Sequence, residues 1–162
     1  DPAVDTVFDG MSARSRFLRF HSPTPVLSAA TRRALLDVDG RTRAAIVAEL
    51  WTADGWVPVG LARLIARDPR RAEVAIAVVD HWQCHGIGRV LLQSIAALAV
   101  ELGYTELCGE VLRDNLRIVK LLRSTFPLSR QTWNDGVLHI SCPLDVADRA
   151  ITEEDILADL MF

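Results

Sequence analysis

Residues 72–103 read as one strand, one tight turn and one helix, and no other stretch constrains the fold as strongly. The run Ala-Glu-Val-Ala-Ile-Ala-Val-Val over 72–79 is apolar throughout except for a single carboxylate, Glu73. Such a run suits a strand covered on both faces, which places the chain in the α/β class. Asp80 to His85 turn the chain, and Gly86-Ile87-Gly88 open a helix. Ile87, Leu91, Ile95, Leu98 and Leu102 then recur at the helical period, and Gly103 stands where a C-terminal cap belongs. The turn Gln83-Cys84-His85-Gly86-Ile87-Gly88 therefore lies at a helix N-terminus. Backbone N–H groups there have no partner inside the helix, and the helix dipole adds positive potential. That combination is a pyrophosphate site, and its glycines let phosphates reach the amides.

The flanking sequence builds a mixed sheet around this unit. Strands over 44–51 and 57–66 form a hairpin through Ala53-Asp54-Gly55, and Asp68-Pro69-Arg70-Arg71 turns into the 72–79 strand. A strand over 104–112 follows the helix and is expected to run parallel to 72–79, because a helix connects the two. Asp114 is expected to cap a helix over 115–126. A last hairpin runs 129–133 and 137–142 about Asn134-Asp135-Gly136. In front lie three short helices: 1–9, then 12–20 capped by Ser12 and stopped at Ser22-Pro23, then 28–36 capped by Ser28. Residues 1–150 make one domain. The tail 152–162 reads as an amphipathic helix with Ile156, Leu157, Leu160 and Met161 on one face. That face is expected to pack on the chain's own sheet; the alternatives are a second subunit, giving a homodimer, or the substrate cleft.

Composition excludes several function classes. At 162 residues and 50% hydrophobic content the chain can bury a sizeable core. No apolar run approaches the ~20 residues of a membrane span, so no membrane partner is expected. A net charge of −3 gives no global case for nucleic acid. Three widely spaced cysteines fit reduced thiols and a cytoplasmic protein. His81, Cys84 and His85 lack a zinc spacing, and Cys108 and Cys142 stand isolated, so no metal site is expected. No nucleophile elbow supports a hydrolase. Seven arginines against two aspartates between Ser12 and Arg43 indicate either an acidic partner or a solvated helix surface.

The pattern Gln83-x-x-Gly86-x-Gly88 is neither a Walker loop nor a dinucleotide fingerprint. It resembles the acetyl-CoA pyrophosphate loop of the GNAT acyltransferase superfamily. Asn115, opening the helix after the next strand, and Phe126, closing it, match that family too. Phe17-Leu18-Arg19-Phe20-His21-Ser22-Pro23, Leu27-Ser28 and Asp37-Val38-Asp39-Gly40 are similar to the GNAT domain of bacterial protein lysine acetyltransferases, and this likeness runs from about Phe8 to Leu144. The resemblance implies a GNAT fold: a mixed, mostly antiparallel sheet with a splayed central strand and flanking helices. It implies acetyl-CoA as cosubstrate and a primary amine, a protein lysine, as acceptor. Binding of acetyl-CoA would fall to Val78, Val79, Gln83, Cys84, His85, Gly86, Ile87, Gly88, Arg89 and Asn115.

Amine acetylation needs a base to strip a proton from the ammonium form. Glu73 is the one ionisable residue inside its strand, and Ala75 and Ala77 on the same face leave room for a channel. The resemblance gives a glutamate in this context the role of base; the competing assignment is an ion pair with Arg70 or Arg71. The chain also departs from the family. Leu122 occupies the position where many members carry a tyrosine acid, while Tyr104 is expected to be structural. Cys84 and His85 replace a glycine and a cationic residue, which should strain the turn at Cys84 and leave only a fractional charge at His85. GNAT folds usually begin with a strand that is not found here, which points to a trimmed or atypical N-terminus. These departures leave a catalytically degenerate, CoA-sensing or protein-binding module as the alternative to an enzyme.

Overall fold

The computed structural model describes residues 2–145. The helix expected over 152–162 lies outside the described residues. Three short helices come first: α1 (Pro2–Asp9), α2 (Ala13–Phe20) and α3 (Ala29–Leu36). Serine starts two of them as expected, because its hydroxyl satisfies an amide that the first turn leaves open. Ser12 Oγ accepts from the Ser15 N–H at 3.2 Å, and Ser28 Oγ accepts from the Thr31 N–H at 3.0 Å. The chain leaves α2 through His21 in a left-handed conformation, φ 57°.

Six strands follow: β1 (Arg43–Thr52), β2 (Gly55–Ala66), β3 (Arg71–Val78), β4 (Glu106–Leu112), β5 (Arg130–Asn134) and β6 (Val137–Pro143). They form one sheet in the order β1-β2-β3-β4-β6-β5, antiparallel at every junction except β3/β4. Helix α4 (Ile87–Glu101) supplies the crossover that makes this one pair parallel. Its apolar stripe seats Leu91, Leu92, Ile95 and Ala99, each at most 1% exposed, against Leu64, Leu107 and Leu138 of the sheet. Burying each Leu or Ile is worth about 1.5–3 kcal/mol, so this helix fixes the centre of the fold. Gly103 ends it at φ 91°, with Tyr104 N–H donating to Ala99 O at 2.9 Å and Gly103 N–H to Val100 O at 3.0 Å, a Schellman closure. Helices α4 and α5 (Leu116–Thr125) share one face of the sheet; α1 packs on β2 and α2 on β3 from the other.

One expected detail is corrected. Asn115, not Asp114, caps α5: its side chain accepts from the Ile118 N–H at 3.4 Å. The helix begins at Leu116, so the residue just before it, Asn115, is the one placed to satisfy a first-turn amide, and Asp114 stands one residue too early.

The feature that makes a site is the short parallel pair. Strand β3 pairs with β4 only at Arg71↔Glu106, Ala72↔Leu107 and Glu73↔Cys108. Beyond Glu73, β3 follows β2 as far as Val78↔Gly60, whereas β4 follows β6 as far as Leu112↔Val137. The two strands splay, as the family resemblance implies. Gly109 stands at the apex, where an added Cβ would lie 3.3 Å from Val74 O.

Candidate active site

The splay opens a cleft of ≈ 1020 Å³. Its walls are Val74–Val78 of β3 and Leu107–Val111 of β4, and α2, α4 and α5 close around them. In parallel strands that have parted, the facing backbone groups lose their ladder partners, so polar main chain and apolar side chains share the walls. A long ligand with amides along its length is chemically matched to such a slot.

One mouth of the cleft is the loop before α4. Gly86 is the N-cap at φ 83°, a conformation that glycine alone adopts without steric penalty. Cys84 adopts φ 63° without that licence, so the strain expected at this residue is present. Gly86, Gly88, Cys84 and Gln83 all line the cleft, as do Arg89, Asn115 and Val78. Arg89 Nη2 also donates to Ser124 Oγ at 3.1 Å, which ties it to α5. Gln83 is a clasp: its amide donates to Val78 O at 3.1 Å, Asp80 Oδ1 at 3.2 Å and Ser15 Oγ at 3.4 Å, and its oxygen accepts from Arg117 Nη1 at 3.2 Å. One side chain thus joins β3, the loop, α2 and α5. Asp80 beside it is partly buried, which opposes ionisation, yet hydrogen bonds from Ser12 and Ser15 and the charge of Arg117 prevail and hold its carboxyl below the usual value.

Three of the residues assigned to acetyl-CoA fall outside the lining. Val79 packs on Gly10, where a Cβ would sit only 2.7 Å from a Val79 methyl. The Ile87 side chain is 4% exposed in the core, so only its amide can serve a ligand. His85 is exposed, its Nδ1 lies 2.8 Å from Gln83 O, and its ring stands edge-on to Trp82. The sequence places these residues in the loop, but side-chain direction depends on how the loop curls.

Glu73 is the last residue of the paired segment, partly exposed, and lies just outside the residues that line the cleft. Its carboxylate pairs with Arg67, so the ion pair weighed against the base role forms, but with neither Arg70 nor Arg71; Arg71 binds Asp68 at 2.6 Å instead. The turn at Asp68 folds Arg71 back on its own loop, and β2 brings Arg67 alongside Glu73. Sequence reasoning missed a second carboxylate, Glu110, which does line the cleft and lies 3.5 Å from His139 Nδ1 across the β4/β6 ladder. Their register, Glu110↔His139, is a pairing only the assembled sheet creates. Leu122 is 6% exposed, so an alkyl group fills the place of the family's tyrosine. Tyr104 is buried and donates to Arg41 O at 3.1 Å, a structural role as expected.

The sequence model of the acetyltransferase (GNAT) family matches residues 16–126. The chain belongs to the GNAT acetyltransferase family. Among curated protein sequences none matches it. Among solved structures, the GNAT domain of S. lividans PAT superposes with a TM-score of 0.78 at 28% identity, over 88% of this chain and 84% of that one. A GCN5-related N-acetyltransferase from Kribbella flavida gives 0.66 at 22% identity, over 88% and 91%. A phosphinothricin acetyltransferase from Sinorhizobium meliloti, in complex with AcCoA, gives 0.66 at 17% identity, over 93% and 90%. The last two share the GNAT fold with this chain; the first shares sequence as well.

Proposed function

We propose that this GNAT protein transfers the acetyl group of acetyl-CoA to a primary amine, that of a protein lysine. The observation that carries this reading is the splay after Glu73↔Cys108, which turns a sheet interior into a slot with a glycine loop and a helix N-terminus at one mouth. The pyrophosphate would meet the amides at Gly86–Gly88, with Arg89 adding a full positive charge. The pantetheine arm would extend the β3 edge, taking the backbone bonds that β4 gives up. Lysine as the acceptor is supported by the likeness to the GNAT domain of S. lividans PAT, a protein acetyltransferase.

In the reaction the amine nitrogen attacks the thioester carbonyl carbon, the C–S bond breaks, and the CoA thiolate takes up a proton. Glu73 accepts the ammonium proton through a water. Its position supports this role: it lies where pairing ends, on the face of Ala75 and Ala77, with 30% of its side chain exposed to water. Leu122 offers no proton, so the leaving thiolate is protonated from solvent.

The test is acetyl transfer to lysine peptides in wild-type, Glu73→Gln and Glu110→Gln proteins. Loss of a general base costs on the order of 10²–10⁴ in rate. The expected result is that loss in Glu73→Gln with acetyl-CoA affinity retained. A full loss in Glu110→Gln with Glu73→Gln active moves the base to β4, and no acetyl-CoA binding in the wild type overturns the reading.

A further inference from the structure

A second, smaller cavity adjoins the cleft, and Met11, Arg19, Ala75 and Ala77 line both. Its volume is ≈ 50 Å³, more than one water needs, and its walls are mostly apolar, with Phe8 and Leu61 among them. Two guanidiniums interrupt that apolar surface. Arg63, opposite Ala75 in the β2/β3 register, shares its face and reaches the same cavity. Arg63 Nη2 donates to Asp37 O at 3.2 Å, but its buried Nε has no partner. Arg19 is the more exceptional group. Part of its surface stays open to the cleft, and its guanidinium lies 5.1 Å from the Phe20 ring centroid. Among the described residues no carboxylate lies within ion-pair distance of it. Burial, with the nearby charge of Arg63, pulls its pKa down to about 10. A half-buried cation without a counter-ion is unfavourable, and the second guanidinium on this cavity adds repulsion; Asp37 lies close enough to offset charge on Arg63, whereas Arg19 has no such carboxylate. Proteins keep such groups where a ligand supplies the missing charge.

We infer that Arg19 recognises an anion on the acceptor, and that the amine acetylated here carries a carboxylate within reach of the small cavity. The planar fork of Arg19 binds a carboxylate through two parallel N–H donors, while the apolar walls hold the carbon chain between amine and acid. This assignment rests on the acetyl-transfer reading for the identity of the cleft. Two acceptors present the same chemistry: a small amino acid with its own free carboxylate, and a protein lysine beside an acidic residue.

The experiment compares matched acceptors in wild-type protein, Arg19→Met and Arg19→Lys. One pair is Nα-acetyl-lysine and its methylamide; the other is capped peptides with glutamate or glutamine next to the lysine. Turnover is followed by loss of thioester absorbance, and melting temperature is measured with CoA present, with and without each acceptor. In the wild type, kcat/KM for the carboxylate member of at least one pair is expected to exceed its neutral partner by roughly 10-fold to 100-fold, the range of a charge-assisted bond. That member alone raises the melting temperature. The pair that shows the preference identifies the source of the carboxylate. Arg19→Met is expected to abolish both effects and to melt higher than the wild type when unliganded, because it removes an uncompensated charge. Arg19→Lys keeps the charge without the fork and retains part of the preference, so the site stays testable if the methionine variant folds poorly. Equal turnover and equal stabilisation within both pairs, or a preference that persists in Arg19→Met, overturns the inference. If no acceptor is turned over, the acetyl-transfer reading has failed, and the melting comparison still decides whether Arg19 binds a carboxylate.

Discussion

Two glycines at opposite ends of α4 separate the chemistry of the loop from its stability. Gly86 begins the helix at φ 83° and Gly103 follows it at φ 91°. Nothing lies within 4 Å of a Cβ added at Gly103, so an alanine there meets no clash and suffers only the left-handed backbone. That penalty is about 1–2 kcal/mol for an L-residue, and the stiffer unfolded chain returns roughly 0.5–1 kcal/mol of it. Gly103→Ala is therefore expected to lose about 1 kcal/mol, a fall in Tm of roughly 2–4 °C for a chain of this size, and Gly86→Ala, left-handed as well, at least as much. Their effects on acetyl-CoA differ. At Gly86 the new methyl stands beside the amides that face the phosphates, and the loss of one charge-assisted bond weakens binding by roughly 10-fold to 100-fold. Urea denaturation measures the first quantity and calorimetric titration with acetyl-CoA the second. Equal losses of affinity in the two variants would show that binding merely follows stability. Unchanged affinity in Gly86→Ala, with the stability loss in place, would remove the phosphates from this loop.

Three further outcomes follow from the titrating groups. Cys84 is exposed at the loop, whereas burial pushes the Cys142 thiol up to about 12 and also raises Cys108. A thiol reagent at pH 8 should therefore modify Cys84 first, with acetyl-CoA protecting it, and a faster Cys142 would contradict the packing of β6. Because the folded pKa of Cys142 is raised, its contribution to stability is complete below the unfolded thiol value of about 8.5 and fades as pH climbs towards 12. Asp80 has the opposite sign. Its depressed carboxyl contributes stability that is complete above the ordinary aspartate value of about 3.9 and is lost as pH falls through the folded one. Asp80→Asn should be less stable than the wild type at pH 7 and should converge with it in strong acid; a constant gap at all pH values would assign the loss to packing instead.

The sequence by itself determined the elements and the loop, because those depend on local physics. Serines at Ser12 and Ser28 satisfy amides three residues on, the apolar period of Ile87, Leu91 and Ile95 buries one helix face, and Gly86 and Gly103 fill left-handed positions no other residue takes freely. A helix between two strands makes them parallel neighbours, so the order of the central strands was legible too. Which side chains meet was not. Glu73 pairs with Arg67 instead of the arginines nearest in sequence, His85 turns onto Gln83 O, and Glu110 faces His139, because strand register and loop curvature set these contacts. The unpaired guanidinium of Arg19 is the clearest case. In the chain it is one of seven arginines in a basic stretch. Only when α2 lies against β3 does it become a shielded cation at the junction of two cavities, since burial and the distance to a counter-ion are properties of the packed layers and of no local pattern.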